Sequence, residues 1–267
     1  MSEVRYVTLI SDFGTEDGYV GAMKGIILNG ASHARVVDVS HDIEAFNIRQ
    51  AAFAVKNAAG HFPPGTIHIV VVDPGVGTAR KPLVVQTSEY FFIGPDNGVF
   101  SFIYAQEGYQ AFEIKPQVFG HPISSTFHGR DIFAPAAVKL LTAEPLSKFC
   151  EPAGEVVSFF EPLEKISDNE YELRVIHVDH FGNLILNLNR EVWQRMAGNR
   201  TARIKLDRGF LVGIQDTFGS APKGRLLILW DSSGYLQIAQ NHGNASESLQ
   251  IKTGHKLTLQ LIDDEKV

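Results

Sequence analysis

The chain has 267 residues, of which 44% are hydrophobic and 20% charged, with a formal net charge of -6 and a single cysteine, Cys150. This is globular composition, which excludes disorder as a description of the whole chain. One cysteine excludes an intramolecular disulfide and a cysteine-built zinc cluster. The acidic balance argues against a nucleic-acid partner. No run of 18 apolar residues is present to span a membrane, and no signal-peptide pattern opens the chain. The expectation is a soluble, cytoplasmic protein with neither membrane nor nucleic acid as partner.

The predicted elements begin with a strand over Val4–Ile10 that ends at Ser11-Asp12. Asp17 is placed to cap a helix whose Val20, Met23 and Ile27 share one face, with Gly30 closing it. A strand over Ala34–Val39 follows, then a helical stripe through Ile48, Ala51, Ala52 and Val55 that stops near Gly60. Ile67–Val72 has no polar alternation, the pattern of a strand buried on both faces. Leu83–Gln86 and Tyr90–Ile93 read as a further pair, and Asp131–Leu141 as a helix with Pro135 in or near its first turn. This alternation predicts an N-terminal α/β domain around a mostly parallel or mixed sheet.

Beyond the middle of the chain the texture changes. Short strands are expected over Glu172–Val178, Leu184–Leu188, Arg203–Leu206, Leu226–Trp230, Tyr235–Ile238 and Lys256–Ile262, separated by Gly, Asn, Asp and Pro turns. Only Arg190–Met196 reads as helical there. The pattern predicts a smaller C-terminal all-β, barrel-like domain. The expected limits are 1–157 for the first domain, 158–169 for a linker and 170–267 for the second.

Residues able to do chemistry gather at predicted strand ends, where α/β sheets hold their ligands. Asp12 follows the first strand and suits either a cis-diol or a turn cap. Asp73 opens the loop Asp73-Pro-Gly-Val-Gly-Thr-Ala-Arg80. That loop lacks the third glycine of a dinucleotide fingerprint and the Gly-Lys-Ser/Thr of a phosphate loop. Asp73 and Arg80 form either a charged wall or an ion pair that pins the loop. His128, in Phe127-His-Gly-Arg-Asp131, precedes a helix and is the side-chain type best suited to exchange a proton near neutral pH. Asp131 reads as the cap of that helix. No His-Glu-x-x-His or His-x-His pair supports a metal site.

Taken together, Asp12-Phe-Gly-Thr, Asp73-Pro-Gly-Val-Gly-Thr-x-Arg80, Gly94-Pro-Asp-Asn-Gly98, Phe127-His-Gly-Arg-Asp131, Asp179-His-Phe-Gly-Asn183 and Ser233-Gly-Tyr resemble the S-adenosylmethionine hydroxide adenosyltransferase family. That family is related to enzymes that fluorinate or chlorinate the same substrate. The resemblance runs from about Val4 to Ile262. It implies conversion of S-adenosyl-L-methionine and water to adenosine and L-methionine, with no cofactor. It also implies a homotrimer with active sites at subunit interfaces.

By the same resemblance Asp73, Arg80 and His128 are the water-activating set, and Asp12 the ribose ligand. Asp179 meets the methionine ammonium, while Phe127, Phe181, Asn183, Phe218 and Ser232 line the adenosine and methionine pockets. His128 is expected to act as the base, with Arg80 stabilising hydroxide character and Asp73 orienting one of the two. Ser233 stands where the fluorinating enzyme has arginine, and the histidine at 128 favours water over halide. The alternatives are a chlorinating relative and a non-catalytic binder of adenosyl ligands.

Overall fold

The computed structural model describes residues 5–105, 108–159 and 162–263, in two compact units, 1–160 and 161–267. In the first unit, β1 (Arg5–Ser11), β2 (Ala34–Ser40), β3 (Ile67–Val71), β4 (Pro82–Gln86), β5 (Phe91–Pro95), β6 (Gln110–Ile114) and β7 (Cys150–Pro152) form one sheet of order β2-β1-β3-β5-β4-β6-β7. The pairs β1–β2, β1–β3 and β3–β5 are parallel; β4–β5, β4–β6 and β6–β7 are antiparallel. The sheet is therefore mixed, with a parallel half that carries its ligand-competent carboxyl edge.

Helices cover both faces of this sheet. Ile67, Ile69 and Val71 of β3 pack with Val20, Met23 and Ile27 of α1 (Tyr19–Gly30) and with the alanine-rich α4 (Ala134–Leu141). Val70 and Val72 point the other way, onto Ala51, Val55 and Ala59 of α2 (Ile48–Ala59) and Ile103 of α3 (Ser101–Tyr104). Two buried faces explain why β3 shows no polar alternation. Asp17 does not cap α1: Gly18 holds the cap position with no side-chain hydrogen bond. Asn47 does cap α2, accepting from the Gln50 N–H at 3.0 Å.

The expected helix over Asp131–Leu141 divides in two. Gly129–Phe133 is a π-helical turn that runs into α4, with Pro135 in the first turn of α4. Asp131 lies inside that turn rather than ahead of it, so it is not the cap it was expected to be. Its carboxylate accepts instead from the Ser124 N–H at 2.8 Å and from the Arg130 guanidinium at 2.6 and 2.9 Å.

The second unit is a strongly curled nine-stranded sheet. Its members are β8 (Glu164–Ser167), β9 (Glu170–Val178), β10 (Leu184–Asn189), β11 (Arg200–Lys205), β12 (Phe210–Val212), β13 (Ile214–Gln215), β14 (Leu226–Trp230), β15 (Tyr235–Gln240) and β16 (Lys256–Asp263). The order is β12-β11-β16-β9-β10-β15-β14-β13, with β8 beside β9. Its two end strands, β12 and β13, are separated in the chain by Gly213 alone. The sheet therefore curls until its edges meet in one extended segment, giving a nearly closed barrel. Its core is the inward face of Leu173, Val175, Leu184, Leu186, Leu236, Ile238, Leu257 and Leu259. The stretch expected to be a linker, 158–169, is not all linker. Glu164–Ser167 pairs with Glu170–Glu172, a hairpin turned at Asp168-Asn169. No helix among the described residues is long and apolar enough to cross a membrane.

Candidate active site

Parallel strands place their carboxyl ends side by side, and the loops leaving β1 and β3 open one pocket of about 450 Å³. Asp12 and Phe13 leave β1, Asp73 and Val76 follow β3, and Thr126, Phe127, His128 and Gly129 enter the π-helical turn; all line the pocket. Tyr19 of α1 and Ala45-Phe46, between β2 and α2, complete its wall.

Two of the lining residues, Asp73 and His128, are joined through Arg80 in an ionic chain. Arg80 Nε lies 3.0 Å from both carboxylate oxygens of Asp73, and Arg80 Nη2 also donates to Asp73 Oδ2. The same Nη2 lies 2.6 Å from His128 Nδ1. The side chains of Asp73 and Arg80 are 5% and 9% exposed, so this is a buried pair. Arg80 Nη1 is buried with no hydrogen-bond partner among the described residues. The pair pins the loop, as the ion-pair reading expected, and holds the Arg80 cation against the histidine. Burial, then the Arg80 charge, push the His128 imidazole below its usual range, with Asp73 and Asp131 opposing. Neutral His128 with an arginine donor on Nδ1 carries its proton on Nε2.

Loop geometry explains how Arg80 and His128 meet. Gly77 has φ +76°, and a Cβ there would stand 2.2 Å from the Ser125 carbonyl oxygen. Only glycine lets the 73–80 loop lie so close against the segment that leads into His128.

Asp12 lines the same pocket. Its Oδ2 accepts from the Phe46 N–H at 2.9 Å. Phe46 itself has φ +68° and is 68% exposed. Phe13, Tyr19 and Phe127 form an aromatic trio with ring centroids 5.1–5.9 Å apart. Sequence reasoning found Phe127 but not Phe13, Tyr19, Phe46 or Thr126. The only available signal was that Phe13 and Tyr19 flank the Asp12 motif, and aromatic residues at such spacing usually serve a core.

Five site candidates lie in the second unit. Asp179, Phe181 and Asn183 share one loop. Asp179 Oδ1 accepts from the N–H groups of Phe181 and Asn183 at 2.9 and 2.8 Å, and Oδ2 from Asn183 Nδ2 at 2.8 Å. Asn183 is buried, whereas Phe181 is 72% exposed. Gly182 (φ +80°) packs on Asn244, where a Cβ would meet the side-chain amide. Ser232 is exposed in the β14–β15 turn, where Asp231 Oδ1 accepts from Ser233 N and Tyr235 N. Because Leu184 pairs with Ile238 and Asn189 with Tyr235, that turn lies at the far end of the β10–β15 ladder from Asp179–Asn183. Phe218 is half exposed at the start of a short 3₁₀ turn capped by Thr217 and Ser220. The unit thus gathers three of the five candidates and keeps Ser232 apart from them. Among the described residues no cluster of three or more His, Cys, Asp or Glu is arranged to hold a metal ion.

The chain is similar to known proteins over most of its length. A (R)-S-adenosyl-L-methionine hydrolase of Methanocaldococcus jannaschii is 36% identical over 254 residues, covering 92% of each chain. A fluorinase of Nocardia brasiliensis is more distant, 25% identical over 93% of this chain and 94% of its own. The solved structure of an uncharacterized conserved protein from Thermotoga maritima superposes with a TM-score of 0.83 at 32% identity, covering 97% of this chain and 100% of that one. The SAM hydroxide adenosyltransferase N-terminal domain matches residues 7–150 and the corresponding C-terminal domain residues 173–258. With the mixed α/β unit followed by the near-barrel, these matches make the chain a member of the SAM hydroxide adenosyltransferase family.

Proposed function

We propose that the protein hydrolyses S-adenosyl-L-methionine to adenosine and L-methionine by in-line attack of water at ribose C5′. The observation that carries this reading is one pocket lined by Asp12, Asp73 and His128, with Arg80 bonded to both Asp73 and His128. The hydrolase at 36% identity supports the substrate.

The leaving thioether is neutral, so it needs neither a general acid nor a cofactor. The demanding step is to make water nucleophilic. The 2.6 Å contact from Arg80 to Nδ1 favours a role for His128 different from the expected base. With its proton on Nε2, the ring has no lone pair left to accept another. Instead Nε2–H donates to the water oxygen and turns the second lone pair toward C5′. The Arg80 cation, polarising the ring from behind, favours hydroxide character on that oxygen. The C5′–O bond forms as the C5′–S bond breaks. The electron pair goes to sulfur, which loses its positive charge, and one proton leaves to solvent.

Asp73 keeps the guanidinium in register with His128. Asp12 accepts from the ribose hydroxyls, and holding C5′ in line this way supplies several kcal/mol. Phe13, Tyr19 and Phe127 offer aromatic surface to the adenosyl group and to the sulfonium cation. Asp179, Phe181, Asn183, Phe218 and Ser232 are proposed to complete the site from a neighbouring subunit of a homotrimer, Asp179 toward the methionine ammonium. A carboxylate has about four lone-pair positions, so the three turn bonds to Asp179 leave it able to accept one more.

The test is a product assay with S-adenosyl-L-methionine in ¹⁸O-water, with and without chloride. Adenosine labelled at its 5′ oxygen with equimolar methionine is the expected result. 5′-Chloroadenosine, or tight binding without turnover, overturns the hydrolase assignment. Light scattering at three times the chain mass is expected for the oligomer, and a monomer refutes the shared site.

A further inference from the structure

Beside Asp12 runs a second hydrogen-bonded chain that the proposed reaction does not use. Ser11 Oγ lies 2.7 Å from His41 Nδ1, and His41 Nε2 lies 3.0 Å from Asp38 Oδ1. Lys24 Nζ lies 2.5 Å from Asp38 Oδ2. Serine, histidine and aspartate in this order make up a hydrolytic triad when the serine is open to substrate. Here Ser11 is 2% exposed, and its Oγ also accepts from the Phe13 N–H at 3.3 Å. It is not a nucleophile.

The donor directions follow from the Asp38 carboxylate and a neutral His41 ring. Burial pushes the Asp38 carboxyl up, but hydrogen bonds from Lys24 and His41 more than offset this and hold it below its usual range. As a carboxylate it accepts from His41 Nε2–H. In the neutral imidazole His41 Nδ1 is then the acceptor, and Ser11 O–H donates to it. Ser11 Oγ keeps a lone pair for Phe13 N–H. Every bond in the chain thus has one donor and one acceptor.

What the chain holds is the peptide on both sides of Asp12. Three bonds stitch the loop after β1 to the loop after β2. They are Ser11 to His41, Gly14 N–H to the His41 carbonyl at 2.9 Å, and Phe46 N–H to Asp12 Oδ2 at 2.9 Å. Two of the three involve His41. We propose that Ser11, His41 and Asp38 are positioning residues for Asp12, and that they set how strongly the pocket selects a ribose diol. This rests on the reading of Asp12 as the ribose ligand.

The experiment compares adenosine with 2′,3′-dideoxyadenosine by calorimetry. A charge-assisted pair of hydrogen bonds from the diol predicts a wild-type preference of roughly tenfold or more for adenosine. Ser11→Ala and His41→Gln are expected to cut that ratio by roughly fivefold while dideoxyadenosine affinity holds. His41→Asn, which keeps an acceptor near the Nδ1 position, is expected to retain most of it. In an Asp12→Ala background, Ser11→Ala is expected to change the ratio no further. A preference that survives Ser11→Ala and His41→Gln overturns the relay alone. Equal weakening of both nucleosides does the same, because general loosening of the fold has no reason to single out the diol. A wild-type ratio near one, or one insensitive to Asp12→Ala, overturns the reading of the pocket and the relay with it.

Discussion

Asp73→Asn is the sharpest probe of the ionic chain. The substitution keeps shape and removes charge, leaving the Arg80 guanidinium without its counter-ion. Asp73 accepts three hydrogen bonds from Arg80, both side chains are buried, and Arg80 Nη1 has no acceptor among the described residues. Removing one member of such a pair strands a charge out of water and costs about 3–5 kcal/mol. For a protein of this size each kcal/mol lowers Tm by about 2–4 °C, so a fall of roughly 6–20 °C is expected. Turnover of S-adenosyl-L-methionine is expected to drop by about 10²–10³-fold, since Arg80 no longer holds the His128 ring. The companion variant Asp73→Leu/Arg80→Met removes both charges. It is expected to recover much of the stability and none of the activity. Calorimetric melts and ¹⁸O-labelled product formation read the two effects separately. An Asp73→Asn protein that loses less than about 1 kcal/mol and turns over normally would falsify the argument that this buried pair orders the site.

Other expectations follow from the same geometry. His128→Gln keeps a donor near the Nε2 position and is expected to retain more turnover than His128→Ala. Equal loss in both variants returns the residue to the role of base. Because burial and Arg80 depress the His128 pKa, the working neutral form persists below the usual value of about 6.5, and the acid limb of kcat/KM is expected there. An acid limb above 6.5 contradicts that. Gly77→Ala forces a left-handed φ on alanine and a collision with the Ser125 carbonyl; it is expected to lower turnover along with Tm, and a neutral effect on both contradicts the close approach. His68 is buried in β3, bonded through Nδ1 to Thr8 Oγ1 at 2.8 Å, and its pKa is lowered by burial to about 4. The unfolded chain therefore binds one more proton than the native one between about pH 6.5 and 4. Stability from this group is full above 6.5 and falls by about 1.4 kcal/mol per pH unit on acidification. Urea titrations at pH 7 and 5 check this, and a Thr8→Val/His68→Phe variant is expected to flatten the slope.

The elements read most clearly from the sequence are those whose packing imposes a simple period. The unbroken apolar run of β3, the stripe Val20-Met23-Ile27 and the strands of the second unit are legible because each buries one face or two. Short edge and connecting pieces are not. Cys150–Pro152, Phe210–Val212 and Ile214–Gln215 hold too few residues to show a period, and they exist as strands only because a neighbour offers them a ladder. The π-helical turn at Gly129–Phe133 is equally silent, since its extra residue shows only in the hydrogen bonds.

The site divides along a similar line. By itself the sequence marked Asp12, Asp73, Arg80 and His128 as polar residues in glycine-bearing loops, because tight turns and ligand-facing carboxylates need those residue types locally. Tertiary structure alone decided which atoms meet. Arg80 reaches both Asp73 and His128 because Gly77 lets two loops touch, and the donor role proposed for His128 rests on that contact. The same holds for Ser11, His41 and Asp38, which carry no motif. Their chain forms only where parallel β1 and β2 end side by side, and a bond between residues 30 positions apart leaves no trace in local composition.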